Sequence, residues 1–343
     1  MDRRLIPDDF SGAPPWEIKP RGEADAIRTL VGAVESRVRA TAAGGPARRD
    51  AHPKAHGCVE AEFRVLEGLS SALRVGLFAR PRAYGAWIRF SNGSASAQND
   101  SVGDGRGMAL KVLGVDGSRS GTQDLIMINS PAFFVRNAVD YVDFELASNP
   151  LLFFFPGFNP FRFRLREMWV ARGITGRKVS NPLNTPYWSV TPYLFGDAAC
   201  KFSARPVAPL SPFEDRAAPN FLHDNLALAL AEGDAAFDLY IQLCARPERM
   251  PIEDAAIAWS ESDSPFLPVA RITIPRQGFD SPERIALGEN LSFTPWHGLD
   301  AHRPLGGINR VRRSVYEAVS RLRHEINGVP RVEPESLPPL SPP

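Results

Sequence analysis

Two stretches, Ala86-Trp87-Ile88-Arg89-Phe90-Ser91 and Met108-Ala109-Leu110-Lys111-Val112-Leu113, alternate large apolar side chains with polar or small ones. A loop rich in Gly, Asn, Ser and Asp separates them. Successive side chains of a strand point to opposite faces, so a period of two reads as half-buried β-strand. The same alternation recurs in residues 59–65 (VEAEFRV), 124–128 (DLIMI), 237–244 (FDLYIQLC) and 269–274 (VARITI). No regular βαβ rhythm and no repeat is visible, which disfavours a doubly wound parallel sheet. The expectation is an α+β protein, an antiparallel sheet or barrel with helices appended. Three segments carry helical spacing: residues 24–39 through Ile27, Leu30, Val31, Val34 and Val38; residues 221–232; and residues 308–326. The last forms one apolar stripe from Ile308 through Val311, Val315, Val319 and Leu322 to Ile326, ended by Asn327-Gly328.

The 343 residues carry 40 Lys+Arg against 39 Asp+Glu, a net charge of +1. Such a balance supplies no field to hold a nucleic acid or an anionic membrane, so neither class of partner is expected. Cys58, Cys200 and Cys244 are odd in number and far apart, so a disulfide framework is not expected and a reducing, cytoplasmic setting is. The first residues have no apolar core of the signal-peptide kind. The longest apolar run, residues 151–155 (LLFFF), is cut by Pro156-Gly157 and falls far short of a bilayer span of ~20 residues. It reads first as core beneath a loop, with an apolar channel or a membrane contact as the alternative. Proline is abundant, 32 residues against 27 glycines. It clusters in two tails and in long connections. The chain therefore divides into an N-terminal tail (residues 1–20), one domain (21–328) and a Pro-rich C-terminal tail (329–343) that is flexible or draped on the surface.

Four constellations carry chemistry. In Arg49-Asp50-Ala51-His52-Pro53-Lys54-Ala55-His56-Gly57, two histidines stand four apart, but Pro53 and Gly57 break a helix and no third ligand is near, which disfavours zinc. A histidine at a loop mouth before a strand is an acid–base candidate, or a hydrogen-bonded loop residue. Arg89-Phe90-Ser91 precedes Gly103-Asp104-Gly105-Arg106-Gly107. No Lys-Ser/Thr or helix follows those glycines, so a phosphate loop is weak and turn geometry explains them more simply. Asn129-Ser130-Pro131 ends a nearly continuous apolar strand, and an amide there must find partners or line a cavity. On the late helix, Arg312, Tyr316, Val319 and Arg323 share a face. A cation one turn from a tyrosine favours its phenolate, a known type of proximal haem ligand, although Arg-x-x-x-Tyr alone is most often surface packing.

Together and in this order, the four elements resemble the haem-binding core of the catalase superfamily. Arg49-x-x-His52-x-Lys54-x-x-Gly57 resembles its distal-histidine segment. Arg89-Phe90-Ser91 with Asp104-x-Arg106-Gly107 resembles its Arg-Phe-Ser and Asp-Pro-Arg-Gly strand and loop. Asn129-Ser130-Pro131-x-Phe133-Phe134-x-Arg136 resembles its Asn-Thr-Pro-x-Phe-Phe-x-Arg stretch, and Arg312-x-x-x-Tyr316 its proximal helix. The likeness covers about residues 45–327. It implies a catalase-like antiparallel barrel with surrounding helices and haem b buried between barrel and proximal helix. His52 would be the distal acid–base, Asn129 its polar partner, and Ser91 the hydrogen-bond partner of its other ring nitrogen. Tyr316 would be the axial iron ligand, with Arg312 stabilising the phenolate. Arg49, Arg89 and Arg323 would meet the propionates, and Phe134 would pack near the distal face. His56 matches no histidine of the family.

Departures from the family pattern narrow the reading. The chain is shorter than full catalases, so no NADPH site, threading arm or C-terminal helical region is expected. Gly105 replaces a proline, and the helix runs through Tyr316-Glu317-Ala318, where catalases put Tyr-x-Asp. The resemblance is to the short catalase-related haem peroxidases, acting through a ferryl intermediate on hydrogen peroxide or organic, including lipid, hydroperoxides. Residues 151–163 and 186–195 are candidate channel walls. The alternatives are a fatty-acid hydroperoxide isomerase of the allene oxide synthase kind and a non-catalytic haem-binding or sensing protein. The reducing donor is unknown, and a homodimer or smaller is expected.

Overall fold

The computed structural model describes residues 17–208 and 218–337. The tail residues 1–16 and the last prolines, Pro338, Pro339, Pro342 and Pro343, lie outside the described residues. The described residues form nine strands: β1 (Ala55–Val65), β2 (Ala83–Asn92), β3 (Arg106–Leu113), β4 (Thr122–Ile128), β5 (Tyr187–Trp188), β6 (Tyr193–Phe195), β7 (Ala198–Pro206), β8 (Ala235–Leu243) and β9 (Phe266–Ile274). All pairings are antiparallel and run β5-β4-β3-β2-β1-β9-β8-β7. Tyr187 then meets Ala204 and Trp188 meets Ser203, which joins β5 to β7 and closes an eight-stranded barrel. Strand β6 is an outlier on β7. The expected antiparallel barrel with helices is what the chain forms.

Pleat parity sorts every strand. Val59, Ala61, Phe63 and Val65 of β1, Ala86, Ile88 and Phe90 of β2, and Met108, Leu110 and Val112 of β3 belong to one buried interior cluster. The intervening Arg89, Ser91, Gly107 and Lys111 therefore leave on the outer face. All six strands expected from alternation are present, each extended by one to four residues at an end, and 237–244 stops one residue early. Strand β7 escaped that reading because Ala199, Cys200 and Ala204 are small, which flattens the apolar signal although Cys200, Phe202 and Ala204 do point inward.

Helices α1 (Glu23–Ala42), α2 (Ala138–Leu146) and α7 (Gly307–Asn327) pack on one another through Leu30, Val34, Val38, Val142, Val311, Val319 and Leu322. Helix α7 ends where Gly328 adopts a left-handed φ of 63°, the turn that Asn327-Gly328 predicts. Helix α5 (Phe221–Glu232) falls where its spacing put it. Helices α3 (Pro150–Phe154), α4 (Leu165–Thr175) and α6 (Pro282–Asn290) had no periodic signal. Helix α6 buries only Gly288, and α4 only Glu167 and Ile174, so neither carries an apolar stripe. Caps mark α3 and α6 instead: Asn149 accepts from the Leu151 N–H and Ser281 from the Arg284 N–H, each followed by proline. The 151–155 run is thus only half core. Phe153 and Phe154 are buried, while Leu151 and Leu152 face outward.

Residues 329–337 lie along the barrel's outer wall. Glu333 reaches the buried Lys111 ammonium at 2.7 Å, beside its partner Asp124 at 2.9 Å, and Arg331 pairs with Glu317. No helix of the described residues is long and apolar enough to cross a membrane.

Inside the barrel, the Phe237 ring lies 6.4 Å from Phe90 and 6.1 Å from Tyr187, and the side chain is fully buried. Phe237→Ala is expected to lower unfolding free energy by about 3–5 kcal/mol, the usual cost of emptying a core aromatic site. Denaturant unfolding of the two proteins checks this, and a change under ~1 kcal/mol would mean the barrel centre is loosely packed.

Candidate active site

The site is built on the outer faces of β2 and β3. His52 precedes β1 with φ of 58°, a left-handed conformation that few non-glycine residues adopt. Two contacts hold it. Its carbonyl accepts a hydrogen bond from Arg89 Nη1 at 3.0 Å, and its ring Nδ1 lies 3.0 Å from Ser91 Oγ. Gly107 makes room underneath: a Cβ there would stand 2.8 Å from the His52 ring and 2.9 Å from Ser91 Oγ. That glycine serves close approach, not the turn geometry the sequence suggested. Burial, followed by the positive charges of Arg89 and Arg312, pulls the His52 pKa down to about 4. The imidazole is therefore neutral at physiological pH and able to accept a proton.

Asn129 follows β4 and is fully buried. Its N–H donates to the Arg106 carbonyl at 2.9 Å and its Oδ1 accepts from the Arg106 N–H at 2.8 Å. Its own carbonyl accepts from Arg177 Nη1 at 2.8 Å. The remaining donor, Nδ2, is buried with no hydrogen-bond partner. Such a donor is costly unless a ligand or water meets it.

Beside His52 lies a cluster of three guanidiniums. Arg49 and Arg89 reach the Glu289 carboxylate at 3.3 and 3.4 Å. Arg323 donates to the Glu289 carbonyl. Arg49 also donates to the carbonyls of Gly288 at 3.0 Å and Leu291 at 2.6 Å. Burial and the charges of Arg89 and Arg323 push the Arg49 pKa well below its ordinary value. Burial alone would raise the Glu289 pKa, but Arg49, Arg89 and Arg323 hold it below the usual carboxylate range. Three cations thus face one carboxylate, and the Nε atoms of Arg89 and Arg323 are buried without partners. Glu289, at the end of α6, was not foreseen, because an isolated glutamate in a segment without helical period carries no signal.

Helix α7 brings up the opposite wall. Arg312 donates to Thr191 Oγ1 at 3.1 Å and Asn309 Oδ1 at 3.3 Å, and lies 5.9 Å over the Phe133 ring. Neither of these hydrogen bonds goes to Tyr316, the residue it was expected to stabilise. Tyr316 is half-buried and has no hydrogen-bond partner among the described residues. Tyr141 and Tyr193 flank the same region. Burial pushes both phenol pKa values up, Arg312 lowers them, and Tyr316 adds to the rise. Phe134 stacks between Phe133 at 4.7 Å and Phe144 at 4.6 Å.

His56 is not part of this site. Its Nε2 lies 2.9 Å from Asn92 Oδ1, Asn92 Nδ2 donates to Asp100 at 2.9 Å, and Lys54 pairs with Asp100 at 2.7 Å. Arg106 Nη1 completes this buried network on Asn92. Among the described residues no group of three His, Cys, Asp or Glu side chains is placed to hold a metal ion.

The catalase family profile matches residues 46–150, which contain His52, Arg89, Ser91, Gly107 and Asn129. That stretch of the chain is similar to the catalase family. A catalase-related peroxidase of Mycolicibacterium paratuberculosis is 27% identical over 311 residues, covering 83% of this chain and 92% of that protein. Catalase C of Rhizobium meliloti is 33% identical over 97 residues, which cover 28% of this chain and 13% of that protein. A fungal catalase structure superposes with a TM-score of 0.66 at 16% identity, covering 84% of this chain and 62% of that one. The chain thus matches less than two thirds of the length of either full catalase. Members of the superfamily usually bind haem, and the residues present fit such a group. The unpaired guanidinium charge suits two propionates, the Tyr316 hydroxyl is uncommitted, and the free Asn129 Nδ2 points to an absent acceptor.

The guanidinium cluster makes a catalase-type chain dependent on Glu289 before any cofactor binds. Glu289→Gln is expected to lower the stability of the cofactor-free protein by about 1–2 kcal/mol, less than for a fully buried pair because the carboxylate is one-third exposed. Excess pyrophosphate should restore part of it. Thermal melts with and without the anion check this, and an unchanged melt would show that solvent already compensates the cluster.

Proposed function

We propose that this chain is a haem-dependent peroxidase with catalase-like consumption of peroxide, taking hydrogen peroxide or organic hydroperoxides. The observation that carries the reading is a neutral, oriented His52 beside three guanidiniums that only one carboxylate offsets. The resemblance to a protein named catalase-related peroxidase over most of both chains supports it. In this reading residues 21–328 act as one domain. Tyr316 would offer its phenol oxygen to the iron of haem b, Arg49, Arg89 and Arg323 would hold its propionates, and Phe134 would pack against it. When bound, the haem supplies the two-electron redox chemistry that the polypeptide lacks.

The rest is work for side chains. In this reading Nδ1–H of His52 donates to Ser91 Oγ, 3.0 Å away, which leaves Nε2 as the basic nitrogen. Nε2 takes the proton from an incoming peroxide O–H and returns it to the oxygen that departs, so no proton need cross to solvent. Asn129 Nδ2 donates a hydrogen bond to the peroxide, the one partner its neighbours leave free. The aromatic rings of Phe133, Phe134 and Phe144 give the approach an apolar lining that suits organic hydroperoxides as well as hydrogen peroxide.

Tyr316→Phe should lose either haem or the high-spin tyrosinate absorption spectrum of protein loaded with haem, and an unchanged spectrum refutes the ligand assignment. The pH profile tests His52. Because its folded pKa lies near 4, the imidazole stays basic down to that pH, and peroxide consumption is expected to hold level from neutrality to about pH 5 and to fall as His52 protonates. His52→Ala should slow peroxide reduction by about 10²–10⁴-fold and abolish that acid limb while haem is retained. A limb near pH 6.5, the ordinary histidine value, would show that a different group titrates.

A further inference from the structure

Residues 146–178 form a surface unlike the rest of the chain. Phe161 is 98% exposed, Phe158 75%, Trp169 65% and Leu151 61%. They are held outward by local structure. Pro156-Gly157 leads into Phe158 with φ of 52°, and Asn159 Oδ1 accepts the Phe161 N–H at 3.0 Å to start a second Pro-led turn. On α4, Leu165, Trp169 and Arg172 follow at i, i+4 and i+7 on one outward face. Contiguous exposed apolar side chains of this size mark a contact surface.

The charge of this segment is equally distinct. Residues 151–178 hold five arginines and one lysine against one glutamate, in a chain whose total is +1. Arg164 is committed to Asp140 and Asp143, and Arg166 to Asp254 and Glu167. Arg162 and Arg172 are exposed and have no carboxylate partner among the described residues. A two-fold contact with a second copy would set these arginines against themselves. An anionic lipid leaflet supplies the opposite charge together with an apolar interior for the aromatic rings.

Behind the surface lies an open cavity of about 710 Å³, within the size range of sites for acyl-sized ligands. Leu152, Phe153, Phe161, Arg162, Phe163 and Arg164 contribute to its wall. From Phe153 the rings continue inward, to Phe144 at 5.4 Å, Phe134 at 4.6 Å and Phe133 at 4.7 Å, which lies beneath the Arg312 guanidinium. An aromatic ladder thus joins the surface to the site.

We propose that this surface docks on anionic membranes. Phe158, Phe161 and Trp169 enter the interface, Arg162 and Arg172 meet the headgroups, and the cavity receives the acyl chain of a lipid hydroperoxide on its way to His52. The choice of hydroperoxide rests on the peroxidase reading above; the docking does not.

The test is flotation of the full chain with vesicles of phosphatidylcholine alone or mixed with phosphatidylglycerol. Binding is expected on the mixed vesicles, weakening as salt is raised. Phe158→Ser/Phe161→Ser/Trp169→Ser and, separately, Arg162→Glu/Arg172→Glu should each reduce it about tenfold or more. Both variants should keep wild-type consumption of hydrogen peroxide while consuming vesicle-borne phospholipid hydroperoxide more slowly. No binding to mixed vesicles, or equal binding by wild type and variants, overturns the proposal. So does a wild-type dimer that the serine variant splits in light scattering, which would assign the surface to a second copy. Vesicle binding with no turnover of any peroxide overturns the peroxidase reading and leaves the docking standing.

Discussion

On β2 the side chains of Ile88 and Phe90 enter the barrel, and those of Arg89 and Ser91, one residue away, leave it. The pleat admits no intermediate. A one-residue slip would put a guanidinium among Phe63, Phe237 and Tyr187 and strip both support points from His52, at the several kcal/mol that an unpaired buried charge costs. The apolar packing that closes the barrel is therefore the same constraint that aims the site. Neighbouring β3 obeys it too: Met108 and Leu110 fill the interior while Gly107 leaves space on the other side for the imidazole.

Electrostatics on that outer face point one way. Arg49, Arg89, Arg312 and Arg323 crowd a region where burial already disfavours charge, and His52 responds by staying neutral. An acid–base group next to permanent cations needs no additional device to remain deprotonated. Glu289 offsets part of the cluster and leaves it with net positive charge. The charges that keep His52 neutral thus come largely from the arginines that crowd Glu289.

Much of this was legible in sequence. Alternation placed six strands, and a 3.6-residue period placed α1, α5 and α7, because each buries a continuous stripe. What failed to show had physical reasons. Strand β7 packs small residues inward, and α6 is held by its Ser281 cap and buries only a glycine. The spacing of Arg89, Ser91 and His52 was readable, but the position of Glu289 beneath Arg49 depends on a fold-level approach over 240 residues of chain that no local pattern records. Gly107 shows a different gap. A glycine needed for space and one needed for backbone conformation read alike until the imidazole above it is placed.

The barrel's closure has a consequence for how the molecule yields. Seven of the ring's strands are long, but the clasp is β5, two residues that share two register positions with β7 and a single one, Trp188 with Ile128, with β4. Resistance to deformation is lowest where a hoop has its shortest overlap. Ile128 directly precedes Asn129, and Arg177, which holds the Asn129 carbonyl, also stacks 5.7 Å over Trp188. Compliance is thus concentrated at one edge of the pocket. The His52 side is, by contrast, anchored on the long β1–β2–β3 ladders, so the two edges of the site rest on backbone frames of unequal length.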